Sequence, residues 1–356
     1  MGKTVNLASK YAEAAQERFY MDSLTQGSFS NDLDMAFTGV KTVEVYEVDT
    51  VPLGDYQRKG ANRYGTPQEL TDCVQEYVME QDKAFTYTID KGNAREQFNV
   101  KQAATSLKRQ MREVVTPYID RYRMRVWAEN AGIVQPLDAA PTKSTIASDI
   151  LDASARMDDA LVPQEGRTLY VTSGVYKLLK LCDEFSRADA LAERAAGKGT
   201  VGEFDGMRVQ KVPASYMPAG VYFMIVKQDA AISPVKLNDY KIHSDPPGIS
   251  GDLVEGRVIF DAFVKGSKAK GVCVAVEKDK AVAAPEIALA GDSATISCAT
   301  AGASIRYTLD GSDPAYSTTA KPYTGAVSFG EDETLIRAFA KKEEMYRSDT
   351  VEAART

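Results

Sequence analysis

The sequence predicts an α+β chain: β excursions around one long helix, a mixed α/β unit, and a terminal all-β sandwich. Three observations predict it. Apolar residues recur at Val100, Ala103, Leu107, Met111, Val114, Tyr118, Tyr122 and Val126, the three-and-four spacing of one helix face. Phe85, Tyr87 and Ile89 alternate with Thr86 and Thr88, the period of a half-buried strand. From Glu286 onward, short β runs alternate with turn clusters, the pattern of a small sandwich. A helix over residues 100–131 would be a rod of about 48 Å, where the usual helix has about 11–12 residues. It holds few catalytic residue types and reads as a beam.

Composition narrows the classes. The 356 residues are 44% hydrophobic and 26% charged, an ordinary globular balance with room for about two or three domains. No run of about 18 apolar residues exists, so no membrane span is expected. The start, Met1-Gly2-Lys3-Thr4-Val5-Asn6-Leu7, lacks the apolar core of a signal peptide, and Gly2 reads as incidental, not as a myristoylation site. A net charge of -7 argues against a general nucleic-acid binder but allows a local basic face. Cys73, Cys182, Cys273 and Cys298 are far apart and form no CxxC pair, so reduced thiols are expected, not a metal site or disulfide framework. No cofactor is implied. The single histidine, His243, precedes the turn-rich Ser244-Asp245-Pro246-Pro247-Gly248 and reads as a surface loop residue, not a catalyst.

Along the chain, a short helix is expected near Ala8–Tyr20, within a polar arm over residues 1–39. Val40–Val51 reads as a strand, and the chain returns through Ala84–Ile89, making a long hairpin excursion with Arg58, Lys59 and Arg63 in its loop. Leu70, Val74 and Val78 fit a short helix or a strand. Asn99 is the expected N-cap of the long helix, and Pro117 inside it predicts a kink or a restart. Its polar face carries Lys108, Arg109, Arg112, Arg121, Arg123 and Arg125; solvation and contact with neighbouring subunits or nucleic acid both remain open. Tyr118 and Tyr122 belong to the apolar stripe.

Residues 141–264 read as a compact α/β unit. Thr145 and Ser173 are expected to cap two helices, with a strand at Arg167–Thr172 between them. The glycine run from Gly197 to Gly202 misses the GxxxxGK[ST] spacing and leads into a strand, so it is a loop and not a phosphate cradle. Strands are expected at Met207–Val212, Val221–Val226, Arg257–Val264 and Gly271–Val276, then a linker at Glu277–Ala284. The terminal strands fall at Ala294–Cys298, Ser304–Leu309, Ala326–Phe329, Thr334–Ala340 and near Val351.

Several local patterns together resemble the major capsid proteins of tailed bacteriophages with the Hong Kong 97 fold. Asp82-Lys83-Ala84-Phe85-Thr86-Tyr87-Thr88-Ile89-Asp90 is similar to the return strand of that family's E-loop. Val115-Thr116-Pro117-Tyr118-Ile119-Asp120-Arg121-Tyr122 resembles the Pro-x-x-Asp-x-Tyr segment of its spine helix. Gly199–Gly206 with Met207-Arg208-Val209 resembles an axial-domain hairpin, and Gly251-Asp252-Leu253-Val254-Glu255-Gly256-Arg257 leads to Asp261-Ala262-Phe263-Val264 in family order. Ile305–Pro314 and Leu335–Ala340 resemble the immunoglobulin-like domain at the end of chitobiases, which implies a β-sandwich and not hydrolysis.

The resemblance implies an N-arm (1–39), an E-loop (40–96), a peripheral domain with the spine helix (97–140), an axial domain (141–264), a peripheral return strand (265–280) and a C-terminal sandwich (281–356). Function would then be assembly: a homo-oligomer of pentamers and hexamers closing an icosahedral head around double-stranded DNA, without sequence specificity. Arg58, Lys59, Arg63, Phe85, Tyr87, Ile89, Arg109, Arg112, Arg121 and Arg125 are the expected assembly contacts, the apolar three awaiting a partner's surface. A separate scaffolding protein and a portal are the implied partners, with assembly in the host bacterial cytoplasm. The sandwich would project outward, stabilising the surface or binding glycans weakly. Some members crosslink an E-loop lysine to an asparagine, and Lys59 fits such a lysine by position alone; no acceptor or catalytic glutamate is marked, so crosslinking is not expected. The competing readings are an encapsulin-like nanocompartment and a carbohydrate-active enzyme, the latter lacking barrel-like βα repetition.

Overall fold

The computed structural model describes residues 23–25, 27–29, 35–38, 42–48, 56, 58–59, 63–64, 72–90, 103–182, 200–330 and 333–355. The helix expected near Ala8–Tyr20, the Asn99 cap, Val100 and the start of the glycine run lie outside them.

Strands β1 (Met35–Thr38), β2 (Thr42–Val48) and β3 (Asp72–Val78) form one antiparallel sheet. The strand alternative therefore holds for Val74 and Val78, while Leu70 lies outside the described residues. The excursion closes on β3 and not on the alternating segment, which becomes β4 (Gln81–Asp90) in another sheet.

The long helix is built from α1 (Ala103–Gln110), a π-helical turn (Met111–Val115) and α2 (Thr116–Glu129). Pro117 sits in the first turn of α2, where its missing N–H and fixed φ are tolerated. Just before it, Thr116 N–H reaches back five residues to Met111 O, the π pattern. That turn holds one residue more than an α turn, so the buried face advances by one position. The predicted stripe loses the core after Met111: Val114 is 50% and Tyr118 40% exposed and Tyr122 and Val126 are only half-buried, whereas Ile119, Met124 and Trp127 are fully buried. Arg123, assigned by pattern to the solvated face, is buried for the same reason.

Strands β5 (Ile133–Leu137), β6 (Arg167–Thr172), β7 (Thr200–Phe204), β8 (Met207–Val212) and β9 (Val221–Lys227) join β14 (Val272–Glu277) in a mixed six-stranded sheet, order β5-β14-β9-β6-β8-β7. The second half of the long helix covers one face through Met124, Trp127 and Ala128. Helices α3 (Ile146–Asp159) and α4 (Ser173–Lys180) cover the other through Ile146, Ile150, Met157 and Leu179. The unbroken apolar run Val272–Val276 suits β14, buried on both faces in the sheet's interior. Burial pushes the Cys273 thiol up to about 12, which leaves it unreactive.

A short pair, β10 (Ala231–Ile232) and β13 (Phe263–Val264), lies beside a three-stranded sheet in which β12 (Gly251–Phe260) runs between β11 (Val235–Ser244) and β4. His243 is thus a strand residue, 3.3 Å from Glu255 across the sheet, and not part of a loop. The caps also differ from expectation. Thr172, not Ser173, caps α4 by accepting Val175 N–H, and the Thr145 hydroxyl accepts from Thr142 N instead of capping α3.

After the connection at residues 278–285, β15 (Glu286–Ala290), β16 (Ser293–Ser297), β17 (Ser304–Thr308), β18 (Lys321–Pro322), β19 (Val327–Ser328), β20 (Leu335–Lys341) and β21 (Val351–Ala354) form sheets of three and four strands. Ala294, Ile296, Val327, Ile336 and Ala338 fill the space between them. The sandwich reading holds, with two strands more than expected.

The glycines of the Gly251–Arg257 segment have a steric cause. Gly251 has φ +143°, and a Cβ there would strike Ile89 O at 2.0 Å. A Cβ on Gly256 would meet Phe85 Cζ at 2.4 Å and Tyr240 Cδ1 at 2.8 Å, because both rings lie over the bare backbone. Gly256→Ala should cost about 1–3 kcal/mol through overpacking. Gly174→Ala, whose Cβ would meet only Thr172 Oγ1 at 3.9 Å, is the control and should be neutral or stabilising by up to about 1 kcal/mol. Urea midpoints of the two variants check this.

Candidate functional site

The long helix carries the chemistry that joins the parts. Asp120 and Arg123, each 1% exposed, form an i,i+3 pair at 3.4 Å on its buried face. Asp120 accepts hydrogen bonds from Ser23 Oγ (2.5 Å), Leu24 N (2.8 Å) and Thr25 Oγ1 (2.7 Å), so it holds the N-terminal segment. Arg123 donates to Thr25 Oγ1 (3.0 Å) and, through Nε, to Ser233 Oγ (2.6 Å), and its guanidinium lies 4.4 Å from the Phe29 ring centre. Phe29 in turn packs on Trp127. Hydrogen bonds reach both ions, though not every guanidinium nitrogen, and such partners are what make a buried pair tolerable.

In the same turn, Tyr122 donates to Asp261 Oδ1 at 2.7 Å. The other oxygen of Asp261 accepts Glu80 N–H at 2.8 Å, at the entrance of β4. Burial first, then Asp261's hydrogen bond and charge, raise the Tyr122 hydroxyl pKa well above the usual tyrosine range. The Asp120, Tyr122 and Asp261 side chains therefore tie three chain segments to one helix.

A second junction holds the C-terminal domain. Arg347 Nε donates to Ala131 O (2.7 Å), just past the end of α2, and the same guanidinium donates to Tyr316 Oη (2.6 Å) while lying 4.7 Å from its ring centre. Tyr316 Oη donates onward to Asn130 O at 2.8 Å. These bonds satisfy carbonyls that a helix end leaves without partners, and they place a cation at its negative pole. Asp349 accepts Val134 N–H at 2.8 Å along the outer side of β5 and pairs with Arg156 of α3. This covers a sheet edge that would otherwise be open. Tyr346 exchanges backbone bonds with the connection, to Lys280 O (2.7 Å) and from Val282 N (2.9 Å), so the expected linker is a fixed junction. Burial raises the Tyr316 hydroxyl pKa, with Arg347 opposing, and pushes Tyr346 up to about 12.

The expected contact residues fall into two groups. Arg58, Lys59 and Arg63 are exposed in the excursion, with Tyr56 and Tyr64 edge to face at 5.1 Å. Arg109 pairs with Glu113, Arg125 approaches Glu129 at 3.9 Å, and Arg121 donates to Pro117 O; these and Arg112 line the solvent side of the helix. Phe85 and Tyr87, both half-buried, and the buried Ile89 instead pack within the chain on the cluster formed by Leu107, Met111, Tyr240 and Val254. Sequence reasoning missed the chemical roles of Arg123, Ser23, Thr25, Tyr316, Arg347 and Asp349. Only Asp120, Tyr122 and Asp261 stood in patterns already singled out. Among the described residues no cluster of three or more His, Cys, Asp or Glu could hold a metal ion, and no helix is long and apolar enough to cross a membrane.

Residues 286–352 match the chitobiase/beta-hexosaminidase C-terminal domain family. No curated protein matches the chain. In three dimensions the chain is similar to a structure of Mycobacterium phage Che8, with TM-score 0.51 and 17% identity over 67% of this chain and 85% of that one. It is similar to the capsid structure of the cyanophage P-SCSP1u, with TM-score 0.53 and 14% identity over 68% of this chain and 84% of that one. It is also similar to the asymmetric unit of the bacteriophage PhiM1 mature capsid, with TM-score 0.50 and 10% identity over 70% of this chain and 91% of that one. The likeness is one of fold, and the fold is that of phage capsid structures.

Asp120→Ala leaves a buried guanidinium without its carboxylate and should cost about 3–5 kcal/mol, while exposing residues 23–29 to protease. Joint Asp120→Leu and Arg123→Met replacement should cost much less. Denaturation midpoints and limited proteolysis check both; a loss under about 1 kcal/mol for Asp120→Ala would refute the tether. Alkali supplies another test. Tyr122, Tyr316 and Tyr346 titrate higher when folded than the value of about 10 expected unfolded, so their contribution is complete below pH ~10 and is lost as pH rises toward their folded values. Urea midpoints should fall through about pH 10–12, with a shallower slope in Tyr122→Phe.

Proposed function

We propose that this chain is the major capsid protein of a tailed bacteriophage, with the Hong Kong 97 fold. The observation that carries the reading is the fold shared with solved phage capsids over about two thirds of the chain. The tethered helix supports it. Residues 97–140 act as the spine of a peripheral domain, 1–39 as the N-arm, 40–96 as the E-loop and 141–264 as the axial domain around capsomer centres. Residues 265–280 carry the return strand, which the six-stranded sheet incorporates between β5 and β9.

A shell subunit meets its neighbours through heterologous contacts that must close into rings, so its interacting parts have to keep fixed angles. The Asp120–Arg123 and Tyr122–Asp261 contacts supply that rigidity, by attaching the roots of both the N-arm and the E-loop return strand to one helix. Arg58, Lys59, Arg63, Arg109, Arg112, Arg121 and Arg125 are offered to neighbouring copies. In this reading the subunits form pentamers and hexamers around double-stranded DNA, aided by a separate scaffolding protein and a portal. The C-terminal domain stabilises the outer surface; its Arg347 and Asp349 attachment favours that role over glycan capture.

Electron microscopy of the purified protein should show closed particles. Discrete monomers in all conditions would exclude any shell. Packaged nucleic acid in native particles is expected, and protein cargo instead would identify a nanocompartment.

A further inference from the structure

A cleft of about 620 Å³ lies between α2, the loop at residues 215–219 and the C-terminal domain. Its walls carry Arg121 and Arg125 from the helix, Lys280 from the connection, and Lys341 and Lys342 from the end of β20. Arg347, also in the wall, is committed to the domain junction. Glu129 sits 3.9 Å from Arg125, and Glu343 and Glu344 follow the two lysines, so cations remain in excess. Tyr216, Met217 and Met345 add apolar surface between the charges. Because the Arg347, Asp349 and Tyr346 contacts hold the C-terminal domain, its two lysines form a jaw at a fixed distance from the helix.

The excursion of the same chain has the opposite charge. Residues 42–57 include Glu44, Glu47, Asp49 and Asp55 with no Lys or Arg, and residues 65–80 include Glu69, Asp72, Glu76 and Glu80 with none either. Between residues 42 and 80 the cations are confined to Arg58, Lys59 and Arg63, with Lys41 and Lys83 just outside at the two ends. Among the described residues the β1-β2-β3 sheet joins no other sheet, and just after β3 the Glu80 N–H is held by Asp261.

We infer that the cleft takes the acidic stem of this excursion from a second copy of the chain, and that the appended C-terminal domain is the outer jaw of an inter-subunit clamp. The inference deepens the shell reading and rests on it. Complementary charge selects the partner segment and its register, and the fixed jaw avoids the entropy of ordering a tethered domain at assembly. The basic tip is repelled from the basic cleft, so the stem and not the tip is the segment admitted.

Assembled particles of the full chain treated with a zero-length carbodiimide should give dimers and higher bands on a denaturing gel. Their peptides should join Lys280, Lys341 or Lys342 to a carboxylate within residues 44–80. Cross-links confined to single chains, or none from these lysines, overturn the clamp while leaving the shell intact. Absence of particles from the parent protein would overturn the shell reading itself. Lys280→Glu with Lys341→Glu should lower particle yield by about tenfold at low salt, and adding Glu44→Lys and Glu76→Lys should restore it. An unchanged yield in the first variant, or no recovery in the second, also overturns the clamp.

Discussion

The rest of the architecture depends on one buried ion pair, Asp120 with Arg123, on the inward face of the long helix. Two charges are held out of water there by hydrogen bonds from Ser23, Leu24 and Thr25 to the carboxylate and from the guanidinium to Thr25 and Ser233, with Phe29 covering the guanidinium. The desolvation cost of such a pair is large, and it is offset only while every partner stays in place. The pair therefore contributes more to geometry than to net stability. It specifies where the N-terminal segment crosses the helix, and the neighbouring Tyr122–Asp261 bond does the same for the entrance to β4.

The π turn at Met111–Val115 makes this arrangement possible. Without its extra residue, the face bearing Asp120 and Arg123 would lie one position out of register, and Val114 and Tyr118 would point toward the core. Pro117 accounts for the turn's location, since its ring cannot continue the preceding ladder and the helix must re-form its hydrogen bonds there. A residue type that usually weakens a helix here sets the phase of everything after it. The helix consequently serves two cores: Leu107, Met111 and Ile119 pack on the β11-β12-β4 sheet, and Met124, Trp127 and Ala128 pack on the six-stranded sheet.

The C-terminal domain follows the same logic of finishing what the body leaves open. Its Arg347 and Tyr316 complete the carbonyls beyond α2, and its Asp349 covers the edge at β5. A module that could have been a loose appendage is thereby joined to a helix end and a strand edge at once. The surface it adds, with Lys341 and Lys342 facing Arg121 and Arg125 across a cleft, belongs to neither domain alone.

The sequence by itself determined the α+β class, the existence of the long helix, the alternation of β4 and the terminal sandwich. Each is written in a local period that side-chain burial enforces within a few residues. It also marked Pro117, Asp120, Tyr122, Asp261 and the glycines of Gly251–Arg257 through likeness to known patterns, without the reasons for them. Tertiary structure alone decided that β4 pairs with β12 and not with Val40–Val51, because strand pairing is a long-range choice between similar edges. It alone buried Arg123, since a single-residue phase shift in a π turn leaves no trace in a hydrophobic count. It alone turned the expected linker into a junction, because Arg347 and Asp349 find their partners some 215 residues away in sequence. A period is a property of neighbours along the chain; a partner is a property of the fold.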